Sequence, residues 1–192
     1  MRRFALSLLA LFLIVLPLSA AVTLEEYLDA SSYDWFLTGK TSYLIEGKMV
    51  SEDTPVSNYL EMVDYVAKDN GVDVVLKGTA GELWVTKLQK VLSTYTKEDG
   101  SELDAEDFVP DEFITLRTKA NPGTNYAMFV PVDTIVLVET AWGDLLTANH
   151  PDTVHGEGDY LVCSAGTDGA PDLSDVWVVN GEVFPDTYSM SH

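Results

Sequence analysis

Apolar positions recur along this chain with three different spacings, and each change of spacing marks a change of element. Residues 4–16 are almost unbroken apolar, preceded by Arg2 and Arg3 and followed by Pro17 and the small residues Ser19, Ala20 and Ala21. A charged start, an apolar run shorter than the ~18 residues that span a bilayer, and a small-residue cleavage site read as a secretory signal peptide over 1–21. No cysteine stands at the cleavage site to carry a lipid. The expected location of the mature chain is therefore secreted or periplasmic.

Beyond the leader, Leu24, Tyr27 and Leu28 are spaced as on one face of a short helix, with an aromatic turn expected at Trp35 and Phe36. Residues 41–50 read as a strand with an irregularity at Gly47. Over 55–69, Tyr59, Leu60, Val63, Val66 and Ala67 recur at intervals of three and four. Pro55 suits a first turn and Gly71 a C-terminal cap, so the spacing predicts a second helix. From Gly71 the period falls to two, and strands are expected over 72–77, 82–87, 113–118, 125–132, 134–140, 159–163 and 176–179. Asn180-Gly181 between apolar runs predicts a hairpin. The expected fold class is α+β, short N-terminal helices followed by mainly antiparallel β-structure. The acidic stretch 97–107 links an N-terminal α+β half (22–108) to a C-terminal β-rich half (109–192).

A repeat crosses that boundary. Eight residues separate Trp84-Val85 from Thr94-Tyr95, and eight separate Trp177-Val178 from Thr187-Tyr188. Upstream, Asp73-Val74-Val75-Leu76 matches Asp159-Tyr160-Leu161-Val162, with seven extra residues in the second copy. Duplication or coincidence would each give this pattern, and duplication requires Trp84 and Trp177 to hold equivalent places in two superimposable units. The second copy, with G-D-Y-L-V at 158–162, W-V-V at 177–179 and V-F-P-D-T-Y at 183–188, resembles a small β-rich module of bacterial and phage proteins of unassigned function. The resemblance implies a compact β unit and brings no active-site residues with it.

Composition narrows the partners. The formal net charge is −20, and it becomes −22 once Arg2 and Arg3 leave with the leader. Such a surface repels phosphate backbones and anionic lipid head groups, so neither nucleic acid nor, after leader removal, a membrane is an expected partner. Cys163 is the single cysteine, and no intramolecular disulfide can form. Its place in an apolar strand reads as a small buried hydrophobe.

The densest cluster of chemistry-bearing residues runs from His150 through Asp152 and His155 to Asp159. Imidazoles and carboxylates are ligands that zinc and other first-row metals accept, and a metal held by His150, Asp152 and His155 would activate water for hydrolysis. The two histidines are five apart, not the four of a helical H-E-x-x-H, and Pro and Gly place them in a loop. Acidic stretches at 98–107 and 168–175 lack the spaced pattern of a calcium loop. Gly39-Lys40-Thr41 ends like a phosphate-binding loop but lacks the glycine five residues earlier. Trp142, before Gly143 at the end of an expected strand, is the aromatic best placed to meet a ligand. The reading that follows is a secreted, non-catalytic binding protein with an extracellular or periplasmic ligand, the alternative being a metal-dependent hydrolase. The sequence specifies no cofactor.

Overall fold

The structure is a computed structural model that describes residues 20–30 and 34–189. The charged start and apolar core of the leader lie outside the described residues. The chain opens with β1 (Val22–Thr23), α1 (Leu24–Ala30), β2 (Phe36–Thr38), β3 (Leu44–Met49), β4 (Thr54–Asn58) and β5 (Val63–Ala67). Next come β6 (Asp73–Lys77), β7 (Leu83–Lys87), α2 (Leu88–Thr94) and β8 (Tyr95–Lys97). A 3-10 turn at Ala105–Asp107 precedes β9 (Ile114–Thr118), β10 (Asn125–Pro131), β11 (Val136–Glu139) and β12 (Leu145–Ala148). The chain then forms β13 (Gly158–Ala165), β14 (Pro171–Val179) and α3 (Phe184–Thr187). The fold is mostly antiparallel β with few helices, each short.

The helix expected over 55–69 is instead the β4–β5 hairpin, with Thr54 opposite Ala67 and Asn58 opposite Val63. Val56, Val63, Tyr65 and Val66 favour extended backbone. Asn58 decides the matter, because its side-chain oxygen accepts the amides of Leu60 and Glu61 at 3.1 and 3.2 Å and closes a turn where a helix would continue. Met62 then takes φ +54°, outside helical geometry. Of the aromatic turn expected at Trp35 and Phe36, Phe36 instead opens β2, with Trp35 just before it.

Asn180-Gly181 forms no hairpin. Asn180 is claimed by distant backbone, donating from Nδ2 to the Val154 carbonyl at 2.8 Å, and a Cβ on Gly181 would strike the Gly158 carbonyl. The chain turns there into α3, with Pro185 in its first turn. The hairpin lies earlier, between β13 and β14, where Gly169 takes φ +81° and Asp168 accepts the Ala170 amide at 3.0 Å.

A five-stranded sheet has the order β7-β6-β3-β9-β8 and a four-stranded sheet the order β14-β13-β10-β2. Their wiring is alike. Leu76 faces Trp84 on one neighbouring strand and Gly47 on the other, while Val162 faces Trp177 and Ala127. Ile45 then faces Leu116 as Asn125 faces Thr38. Tyr95 pairs with Thr118, and Tyr188 bridges Lys40, two residues beyond Thr38. Thus β2 borders β10 as β9 borders β3. The expected division at 108/109 falls between β8 and β9, which pair as neighbours.

Each sheet carries a helix on one face and a hairpin on the other. α2 and the segment through Leu103 and Phe108 cover Ile45, Val74, Leu76 and Leu116, while β4–β5 covers Val75. In the other sheet α3 places Phe184 between Tyr160 and Tyr188, with ring centroids 3.8 and 5.0 Å away, and β11–β12 covers Met128, Val130 and Leu161. Asp73 and Asp159, the matched residues of the repeat, are both buried and pin the loops that deliver their strands. The Asp73 amide donates to Asn70 Oδ1 at 3.0 Å, and the Asp159 amide to Asn149 Oδ1 at 2.9 Å.

Candidate ligand cleft

The loop holding His150, Asp152 and His155 is built as an anchor. His155 is buried, with Nδ1 3.0 and 2.9 Å from the Asp159 carboxylate oxygens and Nε2 2.6 Å from the His150 carbonyl. Both ring nitrogens are therefore engaged. Asp159 also accepts the amides of Asn149 and Gly181 at 2.7 and 2.9 Å. Asn149, in the left-handed region at φ +56°, donates from Nδ2 to the carbonyls of Val130, Pro131 and Thr134. The His150 ring accepts the Asp152 amide at 3.2 Å, and the Asp152 side chain is exposed. The three residues share a loop but do not converge on a point, and among the described residues no group of His, Cys, Asp or Glu is arranged to hold a metal ion. Cys163 is buried in β13, and burial pushes its thiol up to about 11, which leaves it protonated and unreactive.

A second arrangement lies where the two larger sheets meet. A cleft of about 750 Å³ is walled by Trp84 of β7 and Trp177 of β14, the equivalent residues of the two sheets. Val85 and Val178, Tyr95 and Tyr188, and Thr94 and Thr187 line it in the same paired way. The turn of the β4–β5 hairpin adds Glu61 and Leu60, and the turn of β11–β12 adds Trp142 and Asp144. Trp142 is 58% exposed, and its indole nitrogen donates to Asp144 at 2.9 Å. The volume and the mixture of aromatic walls with a few polar groups suit a small-molecule site.

Charge in the cleft is unevenly spread. Glu61 accepts hydrogen bonds from Asn58 Nδ2 at 2.9 Å and the Tyr65 hydroxyl at 3.3 Å. Burial pushes its carboxyl up to about 7, with the charges of Glu82 and Asp144 adding to the rise and the Tyr65 hydrogen bond opposing it. Glu82 is buried and also raised by burial, its carboxylate accepting the Ala80 amide at 3.0 Å. It fills the space above Gly78 that a Cβ would occupy, so this acid needs glycine there. On Lys40, burial brings the ammonium down to about 8, and the charge of Lys90 adds to the effect.

Of these groups only Trp142 is a candidate on sequence grounds. The tryptophan repeat signalled Trp84 and Trp177, but alternation along a strand reads equally as core packing. Glu61 was hidden in a segment with helical spacing. The local signal at Lys40 is the incomplete phosphate-loop ending, which says nothing of the cleft; its place there comes with the bridge to Tyr188. Comparison with family models, with curated proteins and with solved structures finds no match to this chain.

Proposed function

We propose that this protein is an exported, non-catalytic binding module that holds its ligand in the cleft between the two larger sheets. The observation that carries the reading is a cavity of about 750 Å³ with Trp84 and Trp177 on its walls and the exposed Trp142 among its lining residues. Aromatic walls bury a ligand's apolar faces, and a few polar groups fix its orientation. Export is supported by the leader pattern at 1–21, and a strong negative charge keeps the released chain soluble. The chain is an α+β protein of two duplicated units that exchange their leading strands, supported by the matched pairings of Trp84 with Leu76 and Trp177 with Val162. A closed two-fold relation places equivalent surfaces on both sides of one axis, a natural seat for a shared site.

A library of small cations, anions, zwitterions and neutral sugars, titrated into ¹⁵N-labelled protein, tests the cleft. Binding compounds should shift the indole N–H signals of Trp84, Trp142 and Trp177 together. Compounds that bind while leaving all three unmoved would place the site elsewhere.

A further inference from the structure

Resting on that cleft as the ligand site, the charge distribution within it identifies the ligand's chemistry. In a chain with 31 acidic and 11 basic residues, lysines should find carboxylates easily. Lys68, Lys77, Lys87, Lys97 and Lys119 each do so, and Lys48 lies over the Phe113 ring, 5.0 Å from its centroid. Among the described residues, Lys40 and Lys90 are the two lysines whose ammonium groups have neither kind of partner. Both line the cleft. They are also each other's charged neighbours, so a like charge adds to the burial of Lys40.

The opposite deficit occurs at the hairpin tips. Glu61, Glu82 and Asp144 are charge neighbours, and their hydrogen-bond donors are neutral: an amide side chain, a tyrosine hydroxyl, a backbone N–H and an indole. No salt bridge among the described residues involves any of the three. Glu61 comes from one unit's hairpin and Asp144 from the other's, so the fold brings together two acids that repel. Uncompensated charge in a partly desolvated site is unfavourable until a counter-charge arrives. A purely cationic ligand would leave the lysines unmatched. A purely anionic one would leave the acids so.

We infer that the cleft selects an amine–carboxylate zwitterion, an amino acid or short peptide with free termini, its ammonium at Glu61, Glu82 and Asp144 and its carboxylate at Lys40 and Lys90. Trp84 and Trp177, on the walls of the same cleft, would cover the ligand's apolar part. A hydrogen-bonded charge pair in such a site contributes enough that losing one partner weakens binding tenfold or more.

The test uses trialanine in four forms: free termini, N-acetylated, C-amidated, and blocked at both ends. Each is titrated into the protein near pH 7.5 by calorimetry, with the cleft indole signals followed in parallel. Free-termini trialanine should bind tightest, with each block costing at least tenfold. The Lys40→Gln/Lys90→Gln variant should lose the penalty for C-amidation and keep that for N-acetylation. Glu61→Gln should weaken discrimination against N-acetylation alone, and circular dichroism shows that both variants are folded. Four forms binding in the cleft within twofold of one another would overturn the zwitterion and leave the cleft reading intact. Failure of every form to move the indoles would also overturn it, and the library titration then judges the cleft separately.

Discussion

At Asn149 a single side chain holds four backbone groups, and its left-handed backbone is one that asparagine tolerates better than most residues. Asn149→Ala leaves buried carbonyls and the Asp159 amide unpartnered and adds backbone strain. Urea denaturation should show a loss of about 2–4 kcal/mol. Asp152→Ala, three residues on, changes an exposed side chain, and its stability should stay within about 0.5 kcal/mol of the parent. The contrast separates an anchoring loop, in which Asn149 matters and Asp152 does not, from a metal site, where loss of Asp152 would also matter. Glu61 adds a pH dependence. Its folded-state carboxyl sits at about 7 against 4.5 for the free group, so the folded protein binds more protons between those values. Stability should therefore fall as pH rises from about 4.5 to 7, where Glu61 must ionise while buried and facing Glu82 and Asp144, with the Tyr65 hydroxyl only partly offsetting the cost. Glu61→Gln should flatten that slope in urea midpoints measured across the range, and an unchanged slope would assign the effect to other groups.

At the scale of elements, strands with a clear period of two were legible because burial on one or both faces leaves that pattern in β-branched residues. β6, β7, β9, β10 and β11 all fall within the expected segments, and β13 extends the expected 159–163 at both ends. The hairpin at β4–β5 was not, since its apolar positions satisfy a helical spacing equally well and Asn58 decides between them through a turn. Asn180-Gly181 misled for the opposite reason, its local turn preference being overridden by contacts with Val154 and Gly158. The cleft was the least legible part, because its walls come from strands far apart in the chain, its acids from three separate hairpin turns and its lysines from α2 and the residues after β2. Exchange should follow the same hierarchy. Amides at Val74–Leu76, Ala127–Met128 and Leu161–Cys163, in strands bordered on both sides, should exchange only with global unfolding. Amides of the acidic turn at 98–102 should exchange orders of magnitude faster in a hydrogen–deuterium experiment.

The molecule as a whole depends on two long-range pairings, in which β9 borders β3 and β2 borders β10. A chain divided at 108/109 leaves each piece without one of its sheet strands. Pieces 22–108 and 109–192 should be unfolded apart and should form one complex, with β-type circular dichroism, when co-expressed. Independent folding of both pieces would show that these pairings are dispensable. The same arrangement builds the cleft, which needs both units to exist. Its occupancy is seen most directly in a crystal structure of the intact mature protein soaked with free-termini trialanine. The peptide should lie between Trp84 and Trp177, ammonium toward Glu61 and Asp144, carboxylate toward Lys40. A peptide bound on another surface, with only solvent between those two tryptophans, would contradict it.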